Sequence, residues 1–203
     1  PHNPSGTVSD GPDFDRFLAE ASARTLVVVD EAYLEYDDFE GLSAIRQVRA
    51  GANILVFRTL AKIYGLAGLS IGYAVAPPAL AKGLREAGIG APHSLSRLNL
   101  AAASAALGDQ KHVLRVRDLT LAGRKQLHAA LDRLGLAHSD SRANFVFFKS
   151  DAADHIRAQA AARGIKLARA FPPLSGWVRI TIGTPAEIDA VIRLLNQTVS
   201  PPT

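Results

Sequence analysis

A few residues stand where apolar runs give way to turns, and their types can do chemistry. Asp30 closes the run Thr25–Asp30 (TLVVVD). Lys62 lies four residues beyond Arg58, the end of a second run, Asn53–Arg58 (NILVFR). Asn3 sits in a turn before the first expected helix, and Tyr33 follows Asp30 by three residues. In an open α/β sheet a ligand lies beyond the carboxyl ends of the strands, so Asp30, Lys62 and Asn3 can face one crevice. Each residue also has a plainer reading. An Asp at a strand end caps the next turn. A single Lys is solvated surface, Asn-Pro is a good turn, and Tyr33 is core packing with a wet hydroxyl.

The elements that would position these residues follow from the hydrophobic pattern. Asp13–Arg24 has helical spacing at Phe14, Phe17, Leu18 and Ala21. Thr25–Asp30, Asn53–Arg58 and Ser70–Ala76 read as strands, and the first two, as continuous apolar runs, are expected to be buried on both faces. Helices are expected over Leu42–Ala50 and Pro77–Glu86, the latter opened by proline. Strands alternating with helices imply a parallel sheet. After about Pro92 the texture changes. Leu95–Leu107 and His112–Leu134 read as helices, the second long, amphipathic and stopped by Gly135. Asn144–Lys149, Ile165–Ala168 and Trp177–Ile182 read as strands. Asp151–Arg163 reads as a helix closed by Gly164, and Pro185–Gln197 as a last helix. The fold class is therefore α/β. Residues 1–107 read as the end of a domain with a parallel-type sheet. Residues 108–203 form a small α+β domain that includes the long helix.

Composition narrows the function classes. Of the 203 residues 48% are apolar, enough for a sizeable core. The net charge of +4 is spread without a basic run. That argues against nucleic acid, which selects clustered Lys and Arg with aromatic partners, and modestly favours anionic small molecules. With no cysteine there is no disulfide and no Cys-ligated metal. No apolar run approaches the roughly 20 residues of a membrane helix. The chain starts at Pro1 and has no methionine, so it reads as a piece of a longer protein. A cytoplasmic setting is expected.

HNPSGT, DEAY and RTLAKIYGLAGLSIGY occur in that order, and the sequence resembles the fold-type I, class I/II aminotransferases that use pyridoxal phosphate. It is most similar to the histidinol-phosphate aminotransferase group, whose motifs look like NNPTGT, DEAY and TLSKAFGLAGLRIGY. The later segments ANFVFF and VRITIGT also look like that group, so the resemblance runs over essentially the whole chain. It implies an aspartate aminotransferase-like fold. It implies that Lys62 forms the Schiff base with the cofactor, which needs an amine that is neutral part of the time. Asp30 would pair with the pyridine nitrogen and keep the ring an electron sink. Tyr33 and Asn3 would bond the ring's phenolic oxygen, and Thr59 would lie near the phosphate. Arg179 would clamp the substrate carboxylate, with Arg169 as a second contact; a guanidinium fork suits a carboxylate. As a surface residue, Arg169 would form an ion pair.

The sequence departs from the family pattern at two places and lacks a third part. Ser70 stands where the family has a phosphate-binding arginine, and Ala61 where a serine is common. Ser70 can donate a bond to the phosphate but brings no charge. Arg58 and Lys82 are candidate substitutes, each read first as surface or structural. A long preceding segment of the family, with a phosphate-binding helix and a ring stacked on the cofactor, is not in this sequence. The implied partners are an amino donor, histidinol-phosphate-like or aromatic, a 2-oxo acid, and a second copy in a homodimer. The chain by itself would be inactive. A decarboxylase on the same scaffold or a non-catalytic module are the other readings. His2, His93, His112, His128, His138 and His155 show no metal-ligand spacing; His93 follows Gly-Ala-Pro in a loop, where it could meet substrate.

Overall fold

The computed structural model describes residues 1–90 and 94–199. It forms two compact units, Ser9–Val116, and Arg117–Thr203 together with Pro1–Val8.

In the first unit α1 (Gly11–Ser22) leads to β1 (Val27–Asp30), a single 3-10 turn (Leu34–Tyr36), α2 (Phe39–Leu42), α3 (Ile45–Arg49) and β2 (Ile54–Thr59). A second 3-10 turn (Ala67–Leu69), β3 (Gly72–Val75), α4 (Pro78–Glu86) and α5 (Arg97–Gly108) follow, and α6 (Gln110–Arg133) begins here. The expected helix over Leu42–Ala50 is reduced to α3, with Leu42 closing the separate α2, and the expected boundary at 107/108 lies before α6, whereas the compact units part within it.

The sheet order is β1-β2-β3. β1 and β2 are parallel, with Val27 opposite Ile54 and Asp30 opposite Phe57. β3 runs antiparallel to β2, with Thr59 opposite Gly72. The expected parallel-type sheet holds between β1 and β2 and is mixed at the β3 edge. The connection between β2 and β3 holds one 3-10 turn and no α-helix, whereas a parallel return usually crosses over through a helix.

One face of the sheet is core. Val27, Val29, Ile54 and Val56 pack with Leu18 of α1 and Val48 of α3. On the other face Leu55 is buried, yet Val28 stays 54% and Phe57 44% exposed. The expectation of burial on both faces fails there, because α1 and α3 cover only the first face.

The second unit takes the rest of α6, then β4 (Phe145–Lys149), α7 (Ala153–Ala162), β5 (Trp177–Thr181) and α8 (Pro185–Thr198). β4 and β5 pair antiparallel, with Phe147 opposite Arg179. Leu127 and Leu131 of α6, Ile156 of α7, and Val191 and Leu195 of α8 enclose Val146, Phe148, Val178 and Ile180. Ile165–Ala168 is not a strand. Its apolar residues Ile165 and Leu167 pack against this core, but a strand also needs a ladder partner, and β4 pairs with β5. Residues 1–8 belong to this unit through bonds to their backbone. The Gly6 carbonyl accepts from the Arg142 N–H at 2.8 Å, and the Ser5 carbonyl accepts from the Ser139 hydroxyl.

Candidate active site

Parallel pairing brings the carboxyl ends of β1 and β2 to one edge of the first unit. Asp30 is exposed at the end of β1, and its Oδ1 accepts from the Ala32 N–H at 2.9 Å. The Glu31 N–H still donates to Phe57 at 2.9 Å, so the strand pairing persists one residue beyond Asp30. The chain then turns and presents Tyr33. At the end of β2 the Thr59 hydroxyl accepts from the Ala61 N–H at 3.1 Å. Leu60 and Ile63, both buried, anchor the segment from either side. A turn from the Lys62 carbonyl to the Gly65 N–H holds the lysine between them. Lys62 Nζ lies 5.2 Å from the centre of the Tyr33 ring. Ser70 caps the second 3-10 turn in the left-handed region, φ 48°, and is exposed two residues before Gly72, the partner of Thr59.

Beneath this edge lies a charged cluster that the sequence reading missed. Arg58, Glu31 and Glu35 are all buried, with Arg58 Nη2 2.6 Å from Glu31 and Nη1 3.3 Å from Glu35. Burial pushes the Glu35 carboxyl up. Its backbone hydrogen bond and the Arg58 guanidinium oppose that shift, and Glu31 adds to it. Burial also pushes the Tyr36 and Tyr64 phenols up to about 12. Acids four apart, with an arginine ending an apolar strand, are the signal that could have found the cluster. Of the two substitutes considered for the phosphate-binding arginine, Arg58 is held in this cluster. Lys82 is exposed and lies 3.7 Å from Glu86 on the same helix.

In the second unit Arg179 donates to Asn3 Oδ1. Its guanidinium carbon lies 4.9 Å from the Phe145 ring centre and 5.3 Å from that of Phe171. Arg179 Nε is buried with no hydrogen-bond partner. Arg169 lies 5.1 Å from the centre of Phe171 and donates to the Ala170 carbonyl at 3.1 Å. It pairs with no carboxylate among the described residues, where a surface ion pair was expected. Phe147 stacks on Trp177 at 4.7 Å, which stiffens the strand pair under Arg179. The structure therefore joins Lys62 to Tyr33, and Asn3 to Arg179.

The histidines divide. His128 stacks on His138 at 4.3 Å and, half-buried, has its pKa lowered by burial and then by His138. His112 lies 3.2 Å from the Ile63 carbonyl. His93 lies outside the described residues. No group of three potential metal ligands occurs among the described residues.

The model of the aminotransferase class I and II family matches residues 1–195. The chain belongs to that family. Over 201 residues it is 40% identical to histidinol-phosphate aminotransferase 2 of Caulobacter vibrioides, covering 98% of this chain and 52% of that one. Over 198 residues it is 37% identical to an aromatic amino acid aminotransferase of Rhodococcus jostii, covering 98% and 54%. The structure is similar to that of histidinol-phosphate aminotransferase from Sinorhizobium meliloti, solved in complex with pyridoxal-5'-phosphate. That match has a TM-score of 0.80 at 31% identity over 97% of this chain and 54% of the other. The fold is thus that of the pyridoxal-phosphate aminotransferases, and the chain spans about half the length of the relatives it matches.

The residues present fit that cofactor in kind. An amine and a phenol meet at the strand edge that also carries a carboxylate and two hydroxyls. The buried, unpartnered Arg179 Nε marks a guanidinium with a donor to spare.

Proposed function

We propose that the protein carrying this chain is a pyridoxal-phosphate-dependent aminotransferase. It would move an amino group between a histidinol-phosphate-like donor and a 2-oxo acid. The observation that carries the reading is the approach of Lys62 Nζ to the Tyr33 ring, beside the Asp30 strand end. When bound, the cofactor supplies an electron sink that makes the substrate Cα–H acidic. The rest falls to the side chains. Lys62 Nζ would be the point of covalent attachment, and once released it would take the Cα proton and return it as acid. Asp30 would hold the proton of the ring nitrogen. The Tyr33 hydroxyl and the Asn3 amide would bond the ring oxygen. Asn3 Oδ1 accepts from Arg179, which leaves the amide N–H groups to donate elsewhere.

Arg179 would grip the substrate carboxylate as a fork, with Arg169 a second, outer cation. Thr59 and Ser70 would bond the phosphate through hydroxyls, without the charge of an arginine. Histidinol phosphate is preferred on the 40% identity to the Caulobacter relative, with aromatic amino acids second. Residues 1–107 would close a large domain and 108–203 form a small one. A cytoplasmic homodimer belongs to the same reading.

The test is an absorbance titration with pyridoxal phosphate, then borohydride reduction and peptide mapping. The label is expected on Lys62 and absent from Lys62→Ala, which should also lose turnover. A label elsewhere, or turnover kept by Lys62→Ala, rejects the assignment. Product analysis, an oxo acid against carbon dioxide and an amine, separates transamination from decarboxylation.

A further inference from the structure

The strand ends that carry Asp30, Tyr33, Thr59 and Lys62 are tied together by one buried side chain. Arg58 directly precedes Thr59, and Glu31 directly follows Asp30. Arg58 Nε donates to Glu31 Oε2 at 2.8 Å, and Nη2 donates to Ser43 Oγ at 3.0 Å. Nη1 reaches Glu35 Oε1 at 3.3 Å. Glu31 is gripped from its far side as well. Its Oε1 accepts the Ala44 N–H at 2.6 Å, and its Oε2 accepts the Ser43 hydroxyl at 3.0 Å. The Phe39 ring closes over the guanidinium at 4.1 Å. Arg58 and Glu31 keep only 3% and 4% exposure.

Such a cluster is a poor way to gain stability. Taking charges out of water is costly, and well-packed apolar residues often serve a fold equally well. What a guanidinium fork adds is direction: it fixes both partners in angle and distance, which apolar contact does not. Here it spans the two strands at the edge where the functional side chains emerge. β1 is only four residues long, so its backbone ladder alone gives that edge little purchase.

We propose that Arg58 and Glu31 are positioning residues. They hold the β1 end, with Asp30 and Tyr33, against the β2 end, with Thr59 and Lys62, and themselves touch neither cofactor nor substrate. The proposal rests on the cofactor roles assigned above. A small misplacement at a reacting centre is enough to cost catalysis heavily.

The test uses the complete protein with Arg58→Lys, which keeps the charge and loses the fork, and Glu31→Gln, which keeps the shape and loses the charge. Pyridoxal phosphate affinity should weaken about tenfold, as when a supporting shell is disturbed elsewhere. The pH midpoint of the bound cofactor's absorbance should move by about half a unit or more. kcat should fall further than KM for the amino donor rises. If either variant folds and keeps affinity and midpoint within error, the proposal is overturned. Should Arg58→Lys not fold, Glu31→Gln decides alone; should neither fold, the cluster is a folding element and the proposal falls.

If the unaltered protein takes up no cofactor, the functional reading fails separately, and amide exchange then judges the positioning. The Ala32 and Ala61 N–H groups, bonded to Asp30 and Thr59, should exchange about tenfold faster in the variants with α1 unchanged. Equal rates reject it.

Discussion

At Gly6 a side chain has nowhere to go. Its φ is +74°, and a methyl group would fall 1.9 Å from Ser141 Oγ, with the Ser141 backbone 3.0 Å away. Gly6→Ala should therefore lower stability by more than about 1 kcal/mol, since an L-residue is strained there whatever the space. Urea unfolding checks this, and an unchanged midpoint would mean the loop at Ser141 yields. Tyr36 and Tyr64 offer a residue-scale prediction in pH. Burial raises both phenols to about 12, so the folded chain keeps protons that the unfolded chain releases near its ordinary value. The folded state then gains nothing from these groups as pH rises. Stability should fall between about pH 10 and 12, and an ultraviolet phenolate titration should show two tyrosines late. Tyr64→Phe should flatten the loss, and a loss unchanged in that variant would assign it to other groups.

Among the elements, α8 is built to start where it does. The Thr184 hydroxyl accepts from the Glu187 N–H, and Glu187 accepts from the Thr184 N–H at 2.7 Å. Thr184→Ala should cost about 1 kcal/mol, read from the denaturation midpoint. Glu187 is held below its ordinary value chiefly by the Thr184 backbone bond and then by the hydroxyl. A lowered carboxyl contributes above its unfolded value and loses that contribution as pH falls through its folded value. The penalty of Thr184→Ala should thus be largest near neutrality and shrink in acid; a penalty that grows in acid would contradict the cap.

The helices and most strands were legible because their apolar periods differ: 3.6 residues at Asp13–Arg24, a continuous β-branched run at Thr25–Asp30. Strand direction was not legible, since SIGYAVA reads alike either way and only the lack of a crossover helix after β2 bears on it. Ile165–Ala168 carried the composition of a strand without a partner to pair with. At the site, Asp30 and Lys62 could be named from their places after apolar runs. Arg58 could not be placed, because an arginine at a strand end looks like surface until its two glutamates are seen around it.

At the scale of the 203-residue chain, the exposed face of the first sheet bears on behaviour in solution. Val28 and Phe57 are exposed beside buried Leu55, and Ile89 is 60% exposed. Apolar patches of this kind drive association. The 203-residue chain should scatter more light as its concentration rises, and Val28→Lys with Phe57→Lys should suppress the effect; equal scattering would place the contact elsewhere.

The bond between Asn3 and Arg179 spans 176 positions of sequence, and that has a consequence for the order of synthesis. The turn at residues 1–8 leaves the ribosome before the segment that fastens it. At about 5–20 residues per second, Ser139 and Arg142 follow some 7–30 s later, and Arg179 later still. During that interval the Ser9–Val116 unit can fold before Ser139, Arg142 and Arg179 are present to fasten residues 1–8. A nascent chain arrested before residue 139 should be clipped at His2–Thr7 by a protease that spares the finished chain.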